Sequence, residues 1–156
     1  MKPPFQRLLD EHSAAVLRFL VGSVGPVDAD DCFQETVIAA LRAYPRLRHT
    51  DNLRGWLLTI AHRKALDLHR ATARRAVPTE DTATLAATED DAAPRDDDLW
   101  SAVHALPPKQ RGAVLLRFVG DLSHREIAVA LDSSEDAARR ALADGLAKLR
   151  KEWTPA

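Results

Sequence analysis

The chain has 156 residues, of which 46% are hydrophobic and 29% are charged, and this composition is typical of a folded globular protein rather than a disordered one. Its single cysteine, Cys32, excludes an intramolecular disulfide and a metal site built on a pair of cysteines, which fits a reducing, cytoplasmic setting. The apolar runs are far shorter than the ~18 residues that a membrane span needs, so we expect no membrane insertion.

A net charge of -1 hides two strongly charged segments. Residues 42–78 carry nine basic and two acidic side chains, whereas residues 79–98 carry one basic and eight acidic side chains. The acidic segment contains a single leucine and has no apolar periodicity, which indicates a flexible linker. We therefore predict two small domains, over 1–75 and 99–156, joined by an acidic linker over 76–98.

The first domain has apolar residues at helical spacing, and no stretch of it alternates with the period of a strand. A first helix begins near Phe5 and is expected to end at Gly22 and Gly25-Pro26, and Asp28 is the predicted N-cap of a second helix. Thr50 or Asp51 is the predicted N-cap of a third helix. The expected core face of the second helix consists of Phe33, Val37, Ala40, Leu41 and Tyr44.

The second domain also has only helical periodicity, so the predicted fold class is all-α. Pro108 suits the first turn of a helix, and Ser123 with Glu126 forms the capping-box pattern that opens the next one. A last helix follows Asp132. The expected core of this domain includes Val114, Leu115, Phe118, Ile127, Val129, Leu131, Ala138, Leu142, Leu146, Leu149 and Trp153.

Residues 122–147 have the dimensions of a helix-turn-helix, with a capped helix, a short break and an amphipathic helix that begins with polar side chains. In this motif the second helix lies in the major groove and turns its first residues towards base edges. A helical hairpin that only packs a small core is the alternative for this pattern.

The basic segment places Trp56 among several cations, which are Arg54, Arg63, Lys64, Arg70, Arg74 and Arg75. Cations bind phosphates, and an indole ring can stack on an unpaired base, so this segment predicts nucleic-acid binding. The alternative is a solvated basic face with Trp56 buried, because Trp56 shares an apolar stripe with Leu53 and Ile60.

Taken in chain order, these pieces resemble the extracytoplasmic-function (ECF) sigma factors, a class within the sigma-70 family of bacterial RNA polymerase factors. DADDCFQETV at 28–37 is similar to the acidic element of sigma region two, and LRGWLLTIAHRKALDLHR at 53–70 is similar to the helix that follows it. LPPKQR at 106–111 and LSHREIA at 122–128 resemble region four. The resemblance implies a region-two helical bundle and a region-four helix-turn-helix. It also implies a non-enzymatic factor that binds core polymerase and directs promoter recognition and DNA opening.

The resemblance further implies which faces bind protein. In the family, the acidic helix of region two docks on the clamp helices of the beta-prime subunit, and region four meets the beta flap. The matching residues opposite the predicted core stripe are Asp31, Gln34, Glu35 and Arg42. An ordinary solvated face is the alternative. An anti-sigma factor that covers the same faces is also implied as a partner.

Region two of the family opens the minus-ten element of the promoter and captures a flipped base in the loop before the tryptophan-bearing helix. The positions carried over to this chain are Arg48, His49, Asn52, Arg54, Trp56, Arg63, Asp67 and Arg70. A plain loop with a helix cap is the alternative for His49 and Asn52. Asp67 can instead pair with Arg63 or Arg70 one helical turn away.

In region four, the positions expected to bind minus-thirty-five DNA are Ser123, Arg125, Ser134, Arg139 and Arg140. The chain departs from the family pattern here, because Asp132 stands where a turn glycine is usual. Ala141, Ala143 and Asp144 stand where Arg, His and Arg are usual. Since each cation on a phosphate adds to affinity, we expect weak binding to the upstream element.

The residues do not indicate catalysis, and no cofactor or metal is expected. The six histidines are scattered without metal-ligand spacing, and His62 and His69, one heptad apart, are expected to be exposed. A helix-turn-helix regulator that never engages core polymerase is one alternative function. A protein-binding adaptor derived from a sigma fold is another. The acidic linker is expected to thread the polymerase cleft, with a solubilising tether as the alternative.

Overall fold

The fold, taken from a computed structural model that describes residues 2–75 and 95–152, is all-α, as predicted. Its α-helices are α1 (Phe5–Val24), α2 (Pro26–Ala43), α3 (Leu53–Arg75), α4 (Arg95–His104), α5 (Pro108–Phe118), α6 (His124–Leu131) and α7 (Glu135–Glu152). A 3-10 turn at Tyr44–Arg46 follows α2, and neither described range contains a strand. Most of the predicted linker lies outside the described residues, although its end is helical because α4 begins at Arg95.

The first unit consists of α1, α2 and α3, which pack on one another around Leu8, Phe19 and Leu20. The second helix starts earlier than expected, since Gly25 at φ 91° ends α1 and Pro26 begins α2. Asp28 therefore lies in the first turn and makes no capping hydrogen bond, which corrects the predicted cap.

The buried face of α2 is narrower than predicted, and it consists of small residues. Ala29, Cys32, Thr36 and Ala40 are buried, whereas Leu41 is 54% exposed. The placement of Leu41 in the core was wrong, since α2 turns it towards solvent.

The N-terminus of α3 is capped by Asn52, not by Thr50 or Asp51 as predicted. The side-chain oxygen Oδ1 of Asn52 accepts a hydrogen bond from the backbone N–H of Gly55 at 3.0 Å. Glycine lets the Asn52 side chain approach this closely, since a Cβ on Gly55 would lie 2.5 Å from Asn52 Nδ2 and would displace the amide.

The second unit consists of α4 to α7 and contains the helix-turn-helix. Pro108 begins α5, and the predicted capping box of α6 is confirmed. Ser123 Oγ accepts from the Glu126 N–H at 3.1 Å, and the Ser123 N–H donates to Glu126 Oε1 at 2.8 Å. Asp132 ends α6 in the left-handed conformation, with φ 56°, where the family pattern has glycine.

Two side chains of the predicted second core face solvent instead. Phe118 is 63% exposed at the end of α5, and Val129 is 65% exposed on α6. Their helical spacing placed them in the predicted core, but the buried faces of these short helices are narrower than the predicted ones. Trp153, also predicted as core, lies outside the described residues.

The two units pack directly on each other, with α1 and α3 against α4, α5 and α6. Glycines mark the closest approaches, because a Cβ on Gly22 would lie 2.7 Å from Leu115 Cδ2 and one on Gly112 would lie 2.7 Å from His62 Cε1. Buried residues of both units form one continuous cluster. No helix in the described ranges is long and apolar enough to cross a membrane.

Candidate nucleic-acid and protein interfaces

The outer face of α2 brings together the four residues predicted to bind protein. Asp31, Gln34, Glu35 and Arg42 are all exposed on α2, away from the buried residues Ala29, Thr36 and Ala40. Sequence reasoning missed the apolar centre of this face, formed by Ile38 and Leu41, which are 45% and 54% exposed. Ile38 follows Gln34 by four residues and Leu41 follows Ile38 by three, and this helical spacing was the available signal. We call this surface, residues 31, 34, 35, 38, 41 and 42, the α2 face.

The loop before α3 is anchored at its start and exposed at its tip. Lys2 Nζ donates hydrogen bonds to the carbonyl oxygens of Tyr44 at 2.7 Å and Leu47 at 3.1 Å. Arg48 and His49 are exposed beyond this anchor. Two of the predicted base-binding side chains are therefore free of the protein core.

Asn52 and Arg54, both predicted to bind the minus-ten element, contact the second unit. Asn52 Nδ2 donates to Glu126 Oε2 at 2.5 Å, and Arg54 Nη2 lies 3.4 Å from Asp121 Oδ2. The acidic partners belong to the capping box of α6 and to the turn that precedes it. In this arrangement the second unit engages two residues of the predicted DNA site through contacts at the surface.

Trp56 is half-buried, and its ring centroid lies 5.9 Å from that of Tyr44. Trp56 packs against the core. This agrees with the alternative interpretation, in which the ring is a core residue and does not stack on a base.

A basic groove of about 470 Å³ lies between α2 and α3. Arg63, Lys64 and Arg70 line it together with Asp67 and apolar side chains. Of the two ion pairs predicted for Asp67, the one with Arg70 forms, at 3.3 Å. Arg63 is exposed on the groove, and no ion pair within the described ranges engages it.

The helix-turn-helix uses two of its predicted DNA-binding residues as helix caps. Ser123 caps α6, and Ser134 Oγ accepts from the Ala137 N–H at the start of α7 at 3.0 Å. Arg139 pairs with Glu135 at 3.0 Å on the exposed surface of α7. Arg125 and Arg140 are exposed, and no ion pair within the described ranges engages them.

Arg111 of α5, which sequence reasoning missed, is the most buried arginine or lysine among the described residues, and it reaches across to the first unit. Its Nη1 donates to the Ser23 carbonyl at 3.1 Å and contacts His69 Nε2 at 2.8 Å, while its Nη2 donates to the Leu106 carbonyl at 3.0 Å. Burial lowers the pKa of the Arg111 guanidinium, which nonetheless remains a cation at neutral pH. No carboxylate within the described ranges pairs with it.

The expectation that His62 and His69 are exposed was wrong. His62 is 3% exposed, with its ring edge-on to Phe19 at 6.4 Å, and His69 is half-buried beside Arg111. Burial, with the neighbouring His69 and Arg63, lowers the pKa of His62 to about 4. Burial, with Arg111 and His104, lowers the pKa of His69 to about 4. We call Arg111, His62, His69 and His104 the histidine cluster.

His, Cys, Asp and Glu side chains do not gather into a metal-binding group of three or more anywhere in residues 2–75 and 95–152.

Comparison with known families gives two matches that together span most of the chain. Residues 8–75 match Sigma-70 region 2, and residues 96–149 match Sigma-70 region 4. The chain is similar to the ECF RNA polymerase sigma factor SigD of Mycobacterium tuberculosis, with 34% identity, covering 94% of this chain and 76% of the relative. It is 33% identical to the RNA polymerase sigma factor CarQ of Myxococcus xanthus, covering 94% of this chain and 87% of that one.

Solved structures share the fold. The sigma factor RpoE of Bartonella quintana, in complex with the anti-sigma factor NepR, superposes with a TM-score of 0.78 at 18% identity and 94% coverage of both chains. CnrH, in complex with the cytosolic domain of CnrY, superposes with a TM-score of 0.69 at 24% identity, covering 94% of this chain and 85% of that one.

Proposed function

Because the chain belongs to the sigma-70 family, as an ECF RNA polymerase sigma factor, we propose that it binds core polymerase through the α2 face and opens promoters through its first unit. The domain limits proposed are 1–75 for core and minus-ten binding and 99–156 for minus-thirty-five binding, with the acidic linker between them. Sigma factors are not enzymes, and we propose that this chain contributes no chemistry of its own and works in the cytoplasm.

The composition of the α2 face is the observation that carries the proposal. Ile38 and Leu41 expose apolar surface on the same face of α2 as the exposed polar side chains of Asp31, Gln34, Glu35 and Arg42. An exposed apolar centre with a polar rim is typical of protein docking surfaces, where the centre provides most of the binding energy. The beta-prime clamp helices are the proposed occupant, in agreement with the family.

The proposed minus-ten site combines a loop and a groove. Arg48 and His49 offer a cation and a stacking ring at the loop tip, and Arg63 offers a cation on the groove beside α3. Such a set suits an unpaired strand whose backbone follows the groove while one base enters the loop. Asn52 and Arg54 join this site when the second unit moves away.

An anti-sigma factor is the further proposed partner. RpoE of B. quintana and CnrH share this fold and were each solved with a protein bound, NepR or the cytosolic domain of CnrY. An inhibitor that covers the α2 face would compete with core polymerase for the same apolar centre.

Replacement of Leu41 tests the proposal at its centre. Because Leu41 is exposed, Leu41→Glu leaves the core intact, but it places a charge in the docking surface. We expect core affinity to fall at least about tenfold, which corresponds to ~1.4 kcal/mol. Fluorescence anisotropy with purified core polymerase measures the affinity, and run-off transcription should fall in parallel.

The matched control is Ala14→Glu, which adds the same charge at an exposed position of α1. If both variants bind core polymerase as tightly as the parent chain does, the α2 face is not the docking surface. A parent chain that fails to bind core polymerase would favour the regulator. One that binds core without opening DNA would favour the adaptor.

A further inference from the structure

The contact between the two units includes two imidazoles of α3, since His69 contacts Arg111 and His62 lies against Gly112. We propose that Arg111, His62 and His69 form a proton-sensitive latch that holds the second unit over the minus-ten site when the imidazoles are neutral and releases it on acidification. The regulatory consequence rests on the proposed minus-ten site, whereas the opening of the latch does not.

The hydrogen bond between Arg111 and His69 exists in only one protonation state. A guanidinium can only donate, so His69 Nε2, 2.8 Å from Arg111 Nη1, must be the acceptor and carry no proton. Protonation of His69 puts an N–H against an N–H and a second positive charge beside Arg111. The bond is then replaced by repulsion across the interface.

His62 adds a second proton-sensitive contact on the same helix. Its ring fills the space that Gly112 of α5 leaves open, and it lies edge-on to Phe19 of α1. Its Nδ1 is buried without a hydrogen-bond partner among the described residues. A charge on this ring would be desolvated with nothing to compensate it, so protonation favours a state in which the ring reaches water.

The charged groups around the cluster mostly oppose protonation. Arg111 of α5 and His104 of α4 face His69, and His69 and Arg63 act on His62. One carboxyl group lies near the histidine cluster. It belongs to Asp28 of α2, which lines a cavity of about 300 Å³ together with His69 and His104. Asp28 is exposed and makes no ion pair with either ring within the described ranges, so water screens it.

The direction of the pH dependence follows from linkage. The closed state holds the pKa of His62 at about 4, below the ordinary 6.5 of a solvated imidazole. The closed state is therefore most favoured above pH 6.5 and loses that advantage as pH falls from 6.5 towards 4. Between pH 7.5 and 5.5, His62 alone shifts the closed-to-open ratio by about tenfold, and the half-exposed His69 adds a smaller factor.

The closed latch covers the minus-ten site through two polar contacts. Glu126 takes a donor hydrogen of Asn52, and Asp121 lies beside Arg54. The capping box and its preceding turn thereby place two carboxylates against two donors that the proposed site would offer to DNA. Strand and second unit cannot occupy this position together.

Single-molecule energy transfer on the full chain tests the latch without polymerase or DNA. Dyes at Ala14→Cys and Ala143→Cys, both exposed positions, report the separation of the units in a Cys32→Ala background. We expect the ratio of closed to open molecules to fall at least tenfold from pH 7.5 to 5.5. Far-ultraviolet circular dichroism should stay constant over this range, because the helices remain folded.

Two matched variants identify the groups that titrate. His62→Phe with His69→Gln keeps a flat ring and a hydrogen-bond acceptor but removes both protonation sites, so its closed fraction should change less than threefold over the same range. His12→Gln, which removes a histidine of α1 outside the cluster, should respond as the parent does.

An equal pH response in the double variant and the parent overturns the latch. So does a parent whose unit separation is constant, or one whose helices melt as the units part. Each of these results leaves the proposed minus-ten site intact, because no DNA takes part in the measurement. Conversely, a latch that opens while a labelled single strand fails to bind at either pH contradicts the minus-ten site alone.

Discussion

The side-chain amide of Asn52 makes two contacts, one that caps α3 and one between the two units. Its oxygen caps α3 by accepting from the Gly55 N–H, and its nitrogen donates to Glu126 of the other unit. The sequence left two alternatives open for this residue, base contact and helix cap. The cap forms in the structure, and the base contact stays a prediction for the state in which Glu126 has moved away.

Two substitutions separate the roles of Asn52 as a cap and as a link between units. Asn52→Ala removes both, and we expect the free energy of unfolding to fall by about 1 kcal/mol or more, the usual cost of a lost cap. Asn52→Asp keeps the capping oxygen and adds a charge that suits a helix N-terminus, but it sets a carboxylate against Glu126. We expect it to retain most of the stability of α3 while weakening the contact between units.

Urea unfolding followed by circular dichroism measures the first effect, and dye separation at pH 7.5 measures the second. Equal losses of stability in both variants would show that the cap contributes nothing. An unchanged unit separation in Asn52→Asp would remove Glu126 from the contact.

At the scale of elements, helical periodicity predicted the all-helical fold of the described ranges, but it did not distinguish buried from exposed apolar side chains. Leu41, Phe118 and Val129 have the spacing of buried residues but are exposed, because the packing of whole helices decides which part of an apolar stripe is covered. The capping box of α6 was predictable since it is local, with both hydrogen bonds made within four residues. The buried histidines were not predictable, because their neighbours come from distant helices.

Helix α7 has few unpaired cations on the part of its surface that is predicted to bind the upstream promoter element. Asp144, which stands where the family has a cation, is exposed, and Arg139 is paired with Glu135. Ala141, which also stands where the family has a cation, is only 8% exposed, so only some of the cations missing relative to the family are missing from the surface. We expect holoenzyme footprints to show weaker protection at minus thirty-five than at minus ten. Asp144→Arg should strengthen the upstream protection and steepen its salt dependence by about 0.9 in log-log slope, the effect of one added phosphate contact.

Asp10→Arg is the charge-matched control for this prediction, since Asp10 is exposed on α1. Footprints over a series of salt concentrations compare the two variants. If the parent protein protects minus thirty-five as strongly as minus ten, the expected weak binding of α7 to DNA is wrong. The same steepening in both variants would show that net charge is responsible and that Asp144 does not face DNA.

At the scale of the whole molecule, the closed arrangement joins two units that the family uses at separate promoter elements. Leu115 and Trp100 pack over Gly22, and Leu58 packs near Gly120, so the interface has apolar contacts besides the histidine cluster. These contacts do not depend on pH. The apolar part therefore sets how closed the molecule is at neutral pH, and the histidines set how far acidification shifts it.

Gly22→Ala tests the apolar part directly. The new Cβ would lie 2.7 Å from Leu115 Cδ2 and 2.8 Å from Trp100 Cζ3, both across the interface, whereas alanine itself favours helix α1. We expect a larger radius of gyration by X-ray scattering at pH 7.5, with unchanged helix content. The control is Gly145→Ala, whose Cβ would lie 2.9 Å from Val114 Cγ2 within the second unit, so it strains packing without separating the units. If the radius of gyration grows equally in both variants, or in neither, the glycine contact does not hold the units together.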